Sequence, residues 1–418
     1  MKKIYCCLLL TFWTFLPGAA EPAARFELVS VTAISQAVSR MGDCIAPDFR
    51  NTVAGTVLLL TMSTAHNGLD LTRPLEISFY SFGKRPSMRI AAYALPVVKN
   101  PPETIRMQDV RFKLRRQGSL AVLETEDLNE AFPAEPPGRN LKPGDLLRGF
   151  IRTDMFRRQF RFGDFKANDS SARLLLNGLD DLISQLRQAE MLFSADESSL
   201  KVELSVSPRP GSALHRWMKL PLPPKGKIEI YPGAQSLTVL RLNPTGALLQ
   251  YGKSYLEQGT KVSLPVSLTK AANGFAAMSS HSSAGRVQNI RLTAGISPEQ
   301  MPVMRNEVLK WEETPFSGWY RIRRAPLLLC CLKPGRIVFF GTGQMDSAAF
   351  RMMSEPAEYK GSIPDRPFVY FDLKMPERPL AELRFDNGTM RLTLQAPDSW
   401  FADRGPLLKT PLMPSFSR

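Results

Sequence analysis

Residues 189–208 and 381–397 decide how the fold is read. The first stretch runs Ala189-Glu190-Met191-Leu192-Phe193, a polar turn containing Asp196, then Ser199-Leu200-Lys201-Val202-Glu203-Leu204-Ser205-Val206-Ser207-Pro208. The second runs Ala381-Glu382-Leu383-Arg384-Phe385, a turn of Asp386-Asn387-Gly388, then Thr389-Met390-Arg391-Leu392-Thr393-Leu394-Gln395-Ala396-Pro397. In both, apolar and polar residues alternate with period two, as in a strand with one face buried, and Asn-Gly tolerates the positive φ angles of a tight turn. Each stretch predicts a β-hairpin. Their resemblance to one another suggests that the chain carries the same module twice.

Two further matches lie upstream. Val110-Arg111-Phe112-Lys113-Leu114-Arg115-Arg116, a turn at Gln117-Gly118, the strand Ser119 to Leu123 and a helix start near Thr125 are answered later in the chain. The answering stretch is Trp319 to Arg324, the apolar Cys330 region, a turn at Pro334-Gly335, the strand Arg336 to Phe340 and a helix start near Asp346. Likewise Leu28-Val29-Ser30-Val31 leading into Ile34 to Met41 parallels Leu240-Arg241-Leu242 leading into Gly246 to Tyr251. These matches predict tandem copies over residues 22–220 and 227–418, joined by a proline-rich linker at 221–226 that strand pairing would not cross. Hairpins outnumber helices, and the clearest helical spacing is Leu175, Leu179, Leu182 and Leu186. The expected class is α+β: two tandem copies of a mainly antiparallel sheet with helices packed on one face.

The first 20 residues have the order of an export signal. Lys2 and Lys3 precede an apolar run from Ile4 to Leu16, Pro17 breaks it, and Gly18-Ala19-Ala20 supplies small residues for cleavage after Ala20. That run is shorter than the roughly 20 residues a membrane-spanning helix needs, and no later stretch is long and apolar enough to cross a bilayer. The expectation is an exported protein, periplasmic or secreted. The formal charge is +15 over 418 residues, and it stays strongly basic without Lys2 and Lys3. Outside the cytoplasm such an excess meets anionic envelope polymers, lipid head groups or another envelope protein rather than nucleic acid, or simply keeps the chain soluble. After cleavage, Cys44, Cys330 and Cys331 remain, an odd number that excludes complete internal pairing. A bridge from Cys44 to either of the others stays open, although Leu327 to Leu332 reads as a buried strand in which thiols act as small apolar groups.

Motifs for chemistry are sparse. Gly341-Thr342-Gly343-Gln344-Met345-Asp346-Ser347 has the glycines of a phosphate cradle, but Asp346 stands where a third glycine belongs. His66, His215 and His281 are the only histidines, none with metal-ligand spacing, and Lys270 to Gly285 around His281 reads as an Ala/Gly/Ser-rich loop. Asp154, Asp164, Asp180, Asp181, Asp346, Asp372 and Asp386 lie near predicted element ends, where an acid and base pair for sugar chemistry would sit, and are equally ordinary surface residues. The segment Phe156 to Phe162 interleaves aromatics with arginine and reads as an amphipathic helix end. No metal or other cofactor is expected. The basic rows recur: Arg111, Lys113 and Arg115 in the first copy, Arg321 and Arg323 in the second. Alternation sets Arg111, Lys113 and Arg115 on one strand face opposite Val110, Phe112 and Leu114. Such a row would bind a polyanion, or would guard a sheet edge against pairing.

An export signal followed by repeated sheet-and-helix modules, with segments such as Thr72-Arg73-Pro74-Leu75 and Ala94-Leu95-Pro96-Val97, resembles the uncharacterised exported proteins of planctomycete and verrucomicrobia-type bacteria. That resemblance brings no active-site residues with it. The leading expectation is a non-enzymatic cell-envelope binding or structural protein. The alternative is an exported hydrolase acting on an envelope polymer, with carboxylates or the His281 region as its chemistry.

Overall fold

The computed structural model describes residues 22–41, 51, 55, 68–81, 87–96, 98, 103–107, 110–128, 136–157, 170–243, 271–283, 286–321, 328–342, 350–351, 354–375 and 378–403. Residues 1–20, expected as an export signal, and Cys44, His66, Asp164, Arg323 and Asp346 lie outside them. Two compact units divide the chain, the first formed by Met1–Phe165, Leu179–Ser212 and Gln395–Lys409, the second by Lys166–Gly178, Ala213–Leu394 and Thr410–Arg418.

Unit 1 contains β1 (Ala24–Leu28), β2 (Leu69–Ser81), β3 (Ser87–Ala94), β4 (Thr104–Met107), β5 (Val110–Gln117), β6 (Leu120–Thr125), β7 (Asp145–Arg152), β8 (Leu186–Ala195) and β9 (Ser199–Pro208). All neighbouring pairs are antiparallel, in the order β4-β5-β6-β3-β2-β1-β7-β8-β9. One sheet face is apolar. Leu75, Ala92, Phe112, Ala121 and Leu123 are buried on it, with Ile77, Ile90 and Leu114 packed alongside. Three helices help to cover this core. Helix α1 (Val31–Arg40) starts at Ser30, whose Oγ accepts from Ala33 N at 2.9 Å. This bond satisfies one of the amides that a helix start leaves open. Helix α2 (Thr153–Arg157) brings buried Phe156 against Phe79 and Ala24, and α3 (Ser170–Gln185), which belongs to unit 1 from Leu179 onward, adds Ile183 to the same cluster.

Unit 2 contains β10 (Glu229–Ile230), β11 (Ser236–Arg241), β12 (Ala272–Ser283), β13 (Arg286–Ile296), β14 (Glu312–Glu313), β15 (Tyr320–Arg321), β16 (Leu328–Lys333) and β17 (Arg336–Thr342). It continues with β18 (Ala357–Glu358), β19 (Phe368–Asp372), β20 (Ala381–Asp386) and β21 (Thr389–Pro397), whose residues from Gln395 onward belong to unit 1. The antiparallel order is β14-β15-β16-β17-β13-β12-β11-β19-β20-β21, while β10 and β18 pair separately. With β10, β14 and β18 set aside, the nine remaining strands follow the order of unit 1 position for position. Helix α4 (Ala213–Met218) precedes them. Helix α5 (Met301–Val308) buries Met304 and Val308 on one sheet face against Ile337, Phe339 and Cys330. The opposite face is closed by the segment around β10, with Tyr231 against Trp319, Val338 and Phe340, and Ile230 against Leu237, Val239 and Phe371.

The expected fold class is therefore corrected. Of the described residues, 51% are in strands and 20% in helices, so the chain is mostly β rather than α+β. The strands other than β10 and β18 join in one 19-stranded antiparallel network, not two separate tandem sheets. A helix layer on one face is also wrong: α5 covers one side of unit 2, but the other is covered by β10 and its flanks. Three local misreadings contributed. Lys270 to Gly285 holds no loop-like stretch over Ala272–Ser283, which is strand β12, hydrogen-bonded on both sides to β11 and β13. Pairing on both edges overrides the weak strand preference of its Ala, Gly and Ser residues. The helix read through Leu186 stops at Gln185, and Leu186 is the first residue of β8. The arm of the hairpin turning at Pro334-Gly335 is Leu328–Lys333, so β16, rather than the strand at residue 320, takes the place of β5.

Both hairpins predicted over 189–208 and 381–397 are present. Ala195 faces Leu200 across the first turn, where Asp196 Oδ1 accepts from Ser198 N at 2.9 Å and Ser199 N at 2.6 Å. In the second, Asp386 faces Thr389, and Asn387 and Gly388 take φ of 48° and 77°. These are the paired left-handed residues of a type I′ turn, whose twist matches that of the strands it joins.

Candidate functional site

Alternation on β5 buries Phe112 and leaves Arg111, Lys113 and Arg115 exposed on the other face. The flanking registers add to this face. Arg106 of β4 stands directly opposite Arg111, and Thr104 opposite Lys113, while Glu124 of β6 stands opposite Lys113 on the other side. Arg106 is exposed as well, and Arg115 forms an ion pair with Glu124. Four cations thus share one face of the β4–β5 ribbon, with the Glu124 carboxylate beside them. Like charges directly opposite each other across strands repel, which an anion laid over the ribbon would relieve.

The same face continues inward as a buried polar belt. Register places Glu124 beside Arg89, Arg89 beside Ser78, Ser78 beside Arg25, and Glu76 beside Glu27. Arg25 Nη2 lies 2.7 Å from Glu76 Oε2 and 3.1 Å from Glu27 Oε1, and Ser78 Oγ donates to Glu76 Oε1 at 2.7 Å. Arg89 approaches Glu76 at 3.7 Å, and the Asn140 backbone and side-chain amides donate to Glu27. Glu27, Glu76 and Glu124 are each at most 5% exposed. Carboxylates removed this far from water are costly unless paired, and here cations and hydrogen-bond donors hold them. Burial pushes the Tyr80 hydroxyl pKa up on this belt, against the opposing pull of Arg89, which lies over the Tyr80 ring at 5.9 Å.

No family model matches this chain, nor does any curated protein or solved structure.

The other candidates are dispersed. Arg321 lies half-buried on β15 of unit 2, opposite Glu312 and Leu329, and so does not extend a row like that of β5. The counterpart strand β16 is apolar, with Leu329, Cys330 and Cys331 buried. Both cysteines are free, and burial pushes both thiols up in pKa. His215 is on α4 and His281 on β12. Asp154 opens α2, Asp180 and Asp181 lie in α3, Asp386 borders the second hairpin turn, and buried Asp372 accepts from Lys374 N at 2.9 Å. Gly341 and Thr342 end β17, and the rest of that glycine motif lies outside the described residues. Among the described residues, no group of three or more His, Cys, Asp or Glu side chains is placed to hold a metal ion.

Sequence reading missed Glu27, Glu76 and Glu124. Their signal was an acidic residue in or beside an apolar strand stretch, with a polar residue two positions away on one side: Arg25 for Glu27, Ser78 for Glu76 and Glu126 for Glu124. Only the cross-strand register reveals that they meet.

Proposed function

We propose that this chain is an exported, non-enzymatic envelope protein that holds an anionic envelope polymer on the β4–β5 ribbon of unit 1. Arg106 set against Arg111, with Lys113 and Arg115 on the same exposed face, is the observation that carries this reading. Behind it, Arg25 and Arg89 hold Glu27 and Glu76, so those two carboxylates are engaged within the belt rather than by the ribbon's cations. The export signal over residues 1–20 and the basic composition fit an encounter with wall or envelope polyanions.

A hydrolase is the weaker reading. Glu27 and Glu76 approach the same guanidinium nitrogen, and their oxygens are engaged by Arg25, Arg89, Ser78 and Asn140. A general acid or base needs an oxygen turned toward its substrate.

Retention on immobilised polyphosphate tests the proposal. Replacing Arg111, Lys113 and Arg115 with serine should lower the salt needed for elution and flatten the dependence on ionic strength, because screened charge pairs are being removed. Equal retention of the variant and the parent at low salt would overturn it. Retention on anionic vesicles but not on the free polymer would assign the ribbon to lipid head groups instead.

A further inference from the structure

Unit 2 carries a second polar cluster, walled in by apolar side chains. Ser279 of β12 stands directly opposite Arg291 of β13, and Thr293 follows two residues later on the same face. All three are 1% exposed. The Arg291 guanidinium donates to Glu229 Oε2 at 2.7 Å, and Arg336 donates to Glu229 Oε1 at 2.8 Å. One carboxylate thus faces two guanidinium groups under a cover formed by β10. Around them lie Leu237, Val338, Phe340 and Tyr231, all buried.

The hydroxyls do not take part in that bridge. Ser279 Oγ and Thr293 Oγ1 are fully buried and have no hydrogen-bond partner among the described residues. Buried hydroxyls are ordinarily hydrogen-bonded, so two without a partner on one sheet face are a feature to be explained. The corresponding pair in unit 1 shows the contrast. Ser78 stands opposite Arg89 in the same way, but its hydroxyl is satisfied by Glu76, whereas β12 has Ala277 at the equivalent place. Unit 2 therefore has the serine, the arginine and an added threonine without the carboxylate that unit 1 sets between them.

We propose that Ser279, Thr293 and the Arg291 guanidinium form a buried site for a small inorganic anion of the halide class. Two buried O–H donors and a cation on one sheet face are the donor set that a compact sphere of negative charge takes. The anion takes the electrostatic place that Glu76 occupies beside Ser78 and Arg89. Because the site lies in unit 2, it stands or falls separately from the ribbon of unit 1.

The test is thermal unfolding in sodium chloride against sodium gluconate at equal sodium concentration, on the full chain and on Ser279→Ala and Thr293→Val variants. A ligand bound only by the folded state raises the midpoint with the logarithm of its concentration once it exceeds its dissociation constant. The parent should show that rise in chloride alone, and each variant should lose it. Bromide-grown crystals should then give an anomalous peak between Ser279 Oγ and Thr293 Oγ1. Equal midpoints in the two salts would overturn the proposal, as would a chloride effect that survives both substitutions. A water molecule at that position in bromide would also overturn it. If Thr293→Val fails to fold, Ser279→Ala and the bromide crystal still decide the outcome.

Discussion

Glu229→Gln isolates the bridge that holds β10 over unit 2. The Arg291 side chain is 0% exposed and that of Glu229 7%, whereas Arg336 retains 20% exposure. Glutamine keeps the shape and one acceptor but removes the charge, leaving Arg291 buried beside a second cation. Breaking a buried ion pair from one side costs about 3–5 kcal/mol. Arg336 can turn to water, so the lower end, about 3 kcal/mol, is expected. Cys330 and Cys331 sit in the cores on the two faces of the same sheet and provide a local reporter. Thiol labelling in mild urea, resolved by peptide mass spectrometry, should run at least about a hundredfold faster in the variant, since each 1.4 kcal/mol is a factor of ten. A change under threefold would refute the reasoning. Acidification supplies an internal check. Burial alone would raise the Glu229 pKa, but the hydrogen bond from Arg291 and the charges of Arg336 and Arg291 outweigh it and hold the carboxyl below its usual range. A carboxylate lowered in the folded state contributes stability above its unfolded value, and that contribution fades as pH falls through the folded value. The parent should therefore lose more stability than the glutamine variant between neutral pH and the acid side of the normal glutamate range.

Three further outcomes are expected. The C-terminal helix α6 (Asp398–Asp403) packs Phe401 against Ala37 and Leu200 within unit 1, and Arg40 forms hydrogen bonds to both oxygens of Asp398 at 2.9 and 3.1 Å. Phe401→Ala should cost about 3 kcal/mol in urea unfolding, while Arg40→Ala should cost only about 1 kcal/mol because that pair is partly solvated. Gly388→Ala meets no atom within 4 Å of the added Cβ but must hold φ at +77°, so a loss of about 1 kcal/mol should appear in thermal unfolding, from backbone strain alone. In the native protein, Cys330 and Cys331 should resist thiol reagents at pH 8, since burial raises both thiols, and should react promptly once urea exposes them.

Much of the strand pattern was legible. The alternation of residues 199–207 and the Asn387-Gly388 turn are local features, and so is the split of Arg111, Lys113 and Arg115 from Phe112 on β5. The fold class was not legible, for reasons that lie in pairing. The segment Ala272–Ser283 reads as a loop from its own residues and becomes a strand because both edges are occupied. Leucine spacing continued past the end of α3, since a buried strand start at Leu186 needs the same side chain as a helix face. The acidic half of the site was hidden most completely. Glu27 meets Glu76 only through the β1–β2 register, and Glu229 reaches Arg291 only because β10 crosses the sheet face. Charge composition showed an excess of cations but could not show which of them a buried carboxylate already holds.

Hydrogen exchange of the full chain with and without soluble polyphosphate tests the binding account most directly. Slower exchange confined to Thr104–Gln117, with β20 and β21 unchanged, is the predicted result. Protection centred elsewhere, or no protection at low salt, would contradict it.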